Sequence, residues 1–125
     1  MPDKVSALGP AFVVFRSRGE AWNPSLPMRE QAGWAEHARF MNDLAREGFV
    51  ILGGPLGDGE QTLLILATSS ENAVRARLAE DPWSSMRLLR IESVQPWNIL
   101  LAHDNAAQRT GQPAFVANSS VGRSP

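Results

Sequence analysis

Two side chains in this sequence have the types and surroundings needed for proton transfer, His37 and Asp81. His37 belongs to a segment with helical periodicity, in which Trp34 and Met41 fall on the same apolar side as the histidine. An imidazole on that side is withdrawn from water and needs a hydrogen-bonding partner. Asp81 follows a second helical segment and falls on its apolar side. The pattern therefore predicts a His–Asp pair if both helices cover the same face of one sheet.

A carboxylate that accepts a hydrogen bond from one imidazole nitrogen fixes the tautomer and leaves the other nitrogen able to take up or release a proton. Such a pair can perform general acid–base chemistry on a small molecule. The same residues also allow a purely structural interpretation. In it, Asp81 caps local backbone and His37 is a core histidine with a satisfied hydrogen bond.

Four further residues are candidates for binding the ligand: Trp34, Trp83, Arg16 and Arg90. The two tryptophans each lie near one member of the pair in the sequence, which would suit stacking of a flat molecule, although core packing explains them equally well. Arg16 ends the first predicted strand and Arg90 lies in the last one. A guanidinium there could bind a carboxylate or phenolate, although single arginines more often lie at the surface.

The segments that must position these side chains alternate between strand and helix patterns. The predicted strands cover Ala11–Arg16, Phe49–Leu52, Gln61–Ala67 and Met86–Val94, the last ending in Gln95-Pro96-Trp97, and the predicted helices run from about Met28 or Arg29 to Glu47 and from about Glu71 to Asp81. This order predicts an α+β, ferredoxin-like βαββαβ domain, an antiparallel four-stranded sheet with two helices on one face.

Small and polar residues between these segments predict turns and a helix cap. Gly53-Gly54-Pro55 is predicted to be a turn that closes the second strand, and Gly57-Asp58-Gly59 the turn of a hairpin. Thr68, three residues before Glu71, is predicted to cap the second helix. The domain is expected to span residues 11–101, between an N-terminal arm (1–10) and a polar C-terminal tail (102–125).

The first and third strands are apolar at consecutive positions, so both faces of the sheet carry large hydrophobic side chains. Two helices cover only one face. The other would be a larger exposed apolar patch than monomers usually tolerate, which predicts a homodimer formed through the open sheet face. The alternative is that the C-terminal tail folds back over this face. The composition of the tail is too polar to cover an apolar surface well.

Composition narrows the class of protein. The net charge is −1, so neither a nucleic-acid nor a membrane partner is expected. The chain has no cysteine and only two histidines, far apart in sequence, so no metal site is expected. No cofactor is expected either, since acid–base chemistry by a His–Asp pair needs none. No signal-peptide pattern and no apolar run of transmembrane length is present, which favours a cytoplasmic protein.

Several motifs in order resemble the YCII-related (YciI-like) family. They are Trp34-x-x-His37-x-x-Phe40-Met41-x-x-Leu44-x-x-x-Gly48, Gly53-Gly54-Pro55-Leu56, Asp81-Pro82-Trp83 and Val94-x-Pro96-Trp97. The resemblance covers roughly residues 11–101. It implies a ferredoxin-like fold that forms a dimeric α+β barrel, with His37 and Asp81 as the proposed catalytic pair. One branch of the family is associated with dehydrochlorination of a chlorinated hydroquinone, which implies proton transfer on small aromatic or enol-like molecules.

The expected function is a cofactor-independent reaction of the lyase or isomerase type on a small aromatic or enolisable molecule. His37 would move the proton, and Asp81 would orient the imidazole and stabilise its charge. The alternative is a non-catalytic protein that binds a small ligand or a partner and in which the His–Asp pair is structural.

Overall fold

A four-stranded antiparallel open sheet and three helices make up the α+β computed structural model, which describes residues 9–103. The sheet has the order β2-β3-β1-β4, and its strands are β1 (Ala11–Arg18), β2 (Val50–Leu56), β3 (Gln61–Leu66) and β4 (Leu89–Trp97). The helices are α1 (Trp34–Glu47), α2 (Glu71–Ala79) and the one-turn α3 (Pro82–Ser85). This arrangement confirms the predicted α+β class and is compatible with a ferredoxin-like fold. Except for residues 9, 10, 102 and 103, the predicted arm and tail lie outside the described residues.

The main core lies between the sheet and helices α1 and α2. Strand β1 alternates, so that Phe12 and Val14 face the helices while Val13 faces the opposite side. The buried members of this core come from both helices and three strands: Phe12, Val14, Leu44, Ala45, Val50, Leu64, Leu66, Val74 and Leu78. Both long helices therefore pack against one face of the sheet, as the sequence predicts.

Helix α1 starts later than its apolar pattern predicts. The predicted start at Met28 or Arg29 is wrong, because Met28–Glu30 forms a separate 3₁₀ turn and Gln31 is extended. Gly33 adopts a left-handed conformation with φ of 75° immediately before Trp34, which separates the two helical segments. The predicted end is confirmed, since Gly48 is left-handed with φ of 87° and its N–H bonds to the last turn.

The prediction of a turn at Gly53-Gly54-Pro55 is wrong. Strand β2 continues through this segment to Leu56, and Gly53 pairs with Leu64 of β3. Prolines within sheets occur mainly in edge strands, where one row of N–H groups has no partner strand, and β2 is such a strand. The hairpin turn itself lies at the predicted Gly57-Asp58-Gly59.

The chain between α2 and β4 also differs from the prediction. Ser70, and not Thr68, caps α2, because its hydroxyl accepts a hydrogen bond from the Ala73 N–H. After α2 the chain does not pass directly into a strand at Met86. Residues Pro82–Ser85 form α3, and Arg87 has a positive φ of 63°, so β4 begins only at Leu89.

The second face of the sheet is partly covered by the chain that follows β4. Ile99 is buried there against Ala11 and Ile65. Leu52, by contrast, is 55% exposed on the edge strand next to Ile65. Among residues 9–103, no helix is long and apolar enough to cross a membrane.

Candidate active site

Asp81 is the centre of the candidate site and is completely buried. It lies in the tight connection between α2 and α3, where Pro82 occupies the first position of the short helix. Its carboxylate accepts a hydrogen bond of 2.9 Å from the backbone N–H of Trp83 and so caps α3. The capping role suggested by the sequence is therefore real, and it leaves the carboxylate free to bind other donors as well.

His37 meets Asp81 across the interior, as the helical periodicity predicts. Nδ1 of His37 lies 2.9 Å from both carboxylate oxygens. An ionised carboxylate can only accept hydrogen bonds, so Nδ1 carries a proton, and in the neutral imidazole the lone pair is on Nε2. Within residues 9–103 no hydrogen bond to Nε2 is made, and His37 lines a cavity. This is the geometry of an imidazole that can accept a proton from a bound molecule.

Arg16 is the third member of the cluster and is 1% exposed, although single arginines usually lie at the surface. It continues the row of Phe12 and Val14 on the helix-facing side of β1. Nη1 donates to Asp81 Oδ2 at 3.0 Å, and Nη2 donates to the Ser84 hydroxyl at 3.0 Å. Asp81 therefore has one permanent cation on one side and the imidazole on the other.

These contacts determine the charge of the cluster. Burial alone would raise the pKa of the Asp81 carboxyl, but the hydrogen bond and charge of His37, the charge of Arg16 and the Trp83 N–H together lower that pKa below its ordinary value. Burial lowers the pKa of the Arg16 guanidinium, and its contact with Asp81 opposes this effect. At neutral pH Asp81 is an anion and Arg16 remains a cation.

The lowered pKa of Asp81 predicts a specific dependence of stability on pH. An unfolded chain protonates Asp81 near its ordinary value of 3.8, whereas the folded protein holds the proton off to lower pH. The ionised Asp81 carboxylate therefore stabilises the fold fully at pH values above 3.8, and this contribution is lost as the pH falls below 3.8 toward the lower pKa of the folded protein. In urea unfolding, the free-energy difference between the wild type and Asp81→Asn should shrink between about pH 6 and about pH 2.5. A difference that stays constant over this range would contradict the coupling.

Tryptophans surround the imidazole. Trp83 is buried and stacks on His37 with ring centres 4.0 Å apart and an interplanar angle of 6°, and its Nε1 donates to Ala32 O at 2.7 Å. Trp34 lies 5.8 Å from His37. Trp22, which was not among the predicted site residues, contacts Trp83 edge-on at 5.7 Å. Core packing and ring stacking thus coexist, since the same tryptophans fill space and orient the imidazole.

A cavity of about 230 Å³ lies between α1 and the sheet and includes His37, Arg16, Trp34 and Trp83 in its wall. The rest of the wall was not predicted. It is formed by the loop before α1 (Trp22 and Met28), by α1 (Met41, Asn42 and Ala45), and by small residues of β2 and the turn after it (Gly53, Gly54, Pro55 and Gly59). A Cβ at Gly53 would lie 2.6 Å from a Leu64 methyl group, so a larger residue there would require the Leu64 side chain to move. The wrongly predicted turn is thus part of the cavity.

Arg90 is the one predicted ligand-binding residue that does not join this cluster. It pairs in register with Ser17 and donates to the Ser17 hydroxyl at 3.0 Å. Ser17 follows Arg16 along β1, so its side chain and that of Arg90 lie on the other face of the sheet. Arg90 is exposed there and does not line the cavity.

No set of three or more His, Cys, Asp or Glu side chains between residues 9 and 103 is arranged to hold a metal ion. Comparisons of the chain with protein-family models, with curated proteins and with solved structures find no match. The candidate site is therefore defined by its own geometry: an imidazole, a buried carboxylate and a buried guanidinium beside an aromatic cavity.

Proposed function

We propose that this protein is a cofactor-independent enzyme of the lyase or isomerase type that moves a proton on a small aromatic or enolisable molecule. The observation that carries the proposal is the Nδ1–Asp81 contact of 2.9 Å on an imidazole that lines a cavity. It leaves Nε2 as a base in a pocket walled by tryptophans. Trp34 and Trp83 would contact the flat part of the substrate, and Arg16 would bind its oxygen.

The chemistry follows from the charges. Nε2 of His37 takes a proton from a carbon of the substrate, and the electron pair of the broken C–H bond delocalises as an enolate or phenolate. The imidazolium that forms is stabilised by the ionised Asp81 at 2.9 Å. His37 then returns the proton to a different carbon in an isomerisation. In a lyase reaction the electron pair instead expels a leaving group, and the proton passes to that group or to water.

Solvent-isotope exchange tests this proposal even while the substrate is unidentified. A panel of small enolisable carbonyl compounds and substituted phenols is incubated in D₂O with the protein, and deuterium incorporation is followed by ¹H NMR. At least one compound should exchange about 10²-fold or more faster than in buffer. If compounds bind but none exchanges faster, the protein is not an acid–base catalyst for this class.

The second candidate function is binding of a small ligand without turnover. It is favoured by the structural role of Asp81, which caps α3 through the Trp83 N–H and also compensates the buried Arg16. These two roles would require a carboxylate at this position even in a protein that catalyses no reaction. Binding without exchange in the same D₂O experiment is the result that this alternative predicts.

We further propose that the chain is a YCII-related protein whose ferredoxin-like domain forms a dimeric α+β barrel in the cytoplasm. The strand order β2-β3-β1-β4 and the apolar second face support this assignment. Leu52 and Leu56 are exposed beside Leu63 and Ile65, where they border an apolar depression on that face. A second copy of the chain would cover this patch.

Sedimentation equilibrium tests the dimer. The wild type should sediment as a dimer, and Leu52→Glu should shift it toward the monomer, because a carboxylate would be buried without a partner in the interface. Leu26→Glu is the matched control, since Leu26 is also exposed but lies in the loop before α1. A monomeric wild type, or equal effects of both substitutions, would argue against this interface.

A further inference from the structure

Two buried side-chain nitrogen atoms between residues 9 and 103 have no hydrogen-bond partner, and both belong to arginines of β1, Nε of Arg16 and Nε of Arg18. The two residues are two positions apart, so their side chains leave the same face of the strand. The Arg16 side chain is 1% exposed and that of Arg18 is 30% exposed, so Arg16 is a buried cation while Arg18 is only partly buried. A buried N–H without a hydrogen bond is costly, and proteins rarely retain one without a reason. Their shared position therefore needs an explanation beyond folding.

Both arginines adjoin the cavity. Arg16 lies in its wall, where Nη1 and Nη2 each make one hydrogen bond, to Asp81 and to Ser84. The Arg18 guanidinium lies 4.8 Å from the centre of the Trp22 ring, and its Nη2 lies 3.3 Å from the position of a Cβ at Gly59. Trp22 and Gly59 themselves line the cavity. Arg16 thus marks its inner wall and Arg18 its rim.

The charges of the cavity wall are one-sided. Its lining contains arginine and histidine but no aspartate or glutamate. Asp81 contacts Arg16 and His37 without being part of the lining, and Glu60, the acidic partner of Arg18, is 71% exposed and 3.8 Å away. Asp81 offsets the charge of Arg16, whereas the counter-charge of Arg18 is the solvent-exposed Glu60, and no carboxylate lies on the cavity surface itself. This distribution favours an anionic ligand near the two arginines.

We infer that the cavity binds a small molecule carrying a carboxylate, with the anionic oxygens held between Arg16 and Arg18. The inference deepens the proposed function and rests on it in placing the ligand in the same cavity, because it makes the substrate an enolisable or aromatic carboxylate. The flat apolar part lies against Trp34 and Trp83, and the carboxylate, on the side of Trp22, supplies acceptors to the arginine N–H groups. Because both Nε atoms are buried, the guanidinium groups must shift for these N–H groups to reach the ligand.

Matched probes separate charge from shape. Benzoate and benzamide have nearly the same shape, as do indole-3-acetate and indole-3-acetamide, and each pair differs in one negative charge. Their dissociation constants are measured by ¹H–¹⁵N NMR titration of the wild type, of Arg18→Gln and of Arg90→Gln. Arg90→Gln is the control, because it removes the same charge from the opposite face of the sheet.

At least one carboxylate should bind the wild type about tenfold or more tightly than its amide, since a charge-assisted hydrogen bond is worth that much when partly desolvated. Arg18→Gln should remove most of this preference, and Arg90→Gln should preserve it. The inference is overturned if no carboxylate binds, if amides bind equally well, or if both variants have the same effect. Carboxylate preference without isotope exchange would retain the inference and reject catalysis, whereas exchange on neutral compounds alone would do the reverse.

Discussion

Replacing His37 with glutamine is expected to slow deuterium exchange of the active compound by about 10²- to 10⁴-fold, the usual contribution of a general base. Glutamine keeps an N–H that can reach Asp81 but has no nitrogen lone pair with which to accept a proton. The cavity and the buried Asp81–Arg16 pair should therefore persist. The loss should fall on the rate of exchange, with much less effect on the dissociation constant of the bound compound.

His103→Gln is the matched control for this experiment, since His103 is the only other histidine of the chain and is exposed. It should leave the exchange rate unchanged. Thermal unfolding of both variants separates a catalytic loss from a loss of folded protein. Should His37→Gln retain the wild-type rate, or should its slower exchange follow only from unfolding, His37 would be a structural residue.

The pairing of His37 with Asp81 could be predicted because both residues obey helical periodicity. His37 lies one turn from Trp34 and Met41 on the inward side of α1, and Asp81 lies three residues after Leu78, which is buried in α2. When both helices pack on one face of a sheet, two inward-facing side chains at these positions are brought close together in the interior. Local pattern and global arrangement agree here, which is why the prediction of this contact is confirmed.

Arg16 and Arg90 show where sequence alone stops being informative. Both are single arginines in strands, but only the register of β1 with β4 tells that Arg90 shares the face of Ser17. Alternation along β1 could have placed Arg16 on the helix-facing side. The partner that makes its burial tolerable, Asp81, is 65 residues away in the chain.

The cavity wall is less predictable still. Trp22 and Met28 come from an irregular loop whose path depends on backbone bonds such as Gly19 N–H to Leu88 O, and no periodicity encodes these. The sequence predicts a turn at Gly53 because glycines next to a proline usually indicate one. In an edge strand the same residues leave space for a cavity, and this depends on Leu64 across the sheet.

The buried ion pair leads to the second large effect. Asp81→Asn is expected to lower the free energy of unfolding by about 3–5 kcal/mol, the usual cost of removing one member of a buried pair. Asparagine can still cap α3, but it leaves the Arg16 cation buried without a counter-charge. The measurement is urea unfolding at neutral pH. Asp43→Asn is the control, because Asp43 pairs with Arg46 on the exposed side of α1 and its loss should cost less than about 1 kcal/mol.

The double variant Arg16→Met/Asp81→Asn decides whether the loss arises from the uncompensated charge. Methionine fills a volume similar to the arginine stem and removes the cation, so the double variant should be more stable than the sum of the two single losses predicts, by about 0.5–3 kcal/mol. Additive losses would mean that Arg16 and Asp81 stabilise the fold independently. In that case the 3.0 Å contact with Arg16 would not be what keeps Asp81 ionised beside His37. The lowered pKa of Asp81 would then depend on His37 and on the backbone N–H of Trp83 alone.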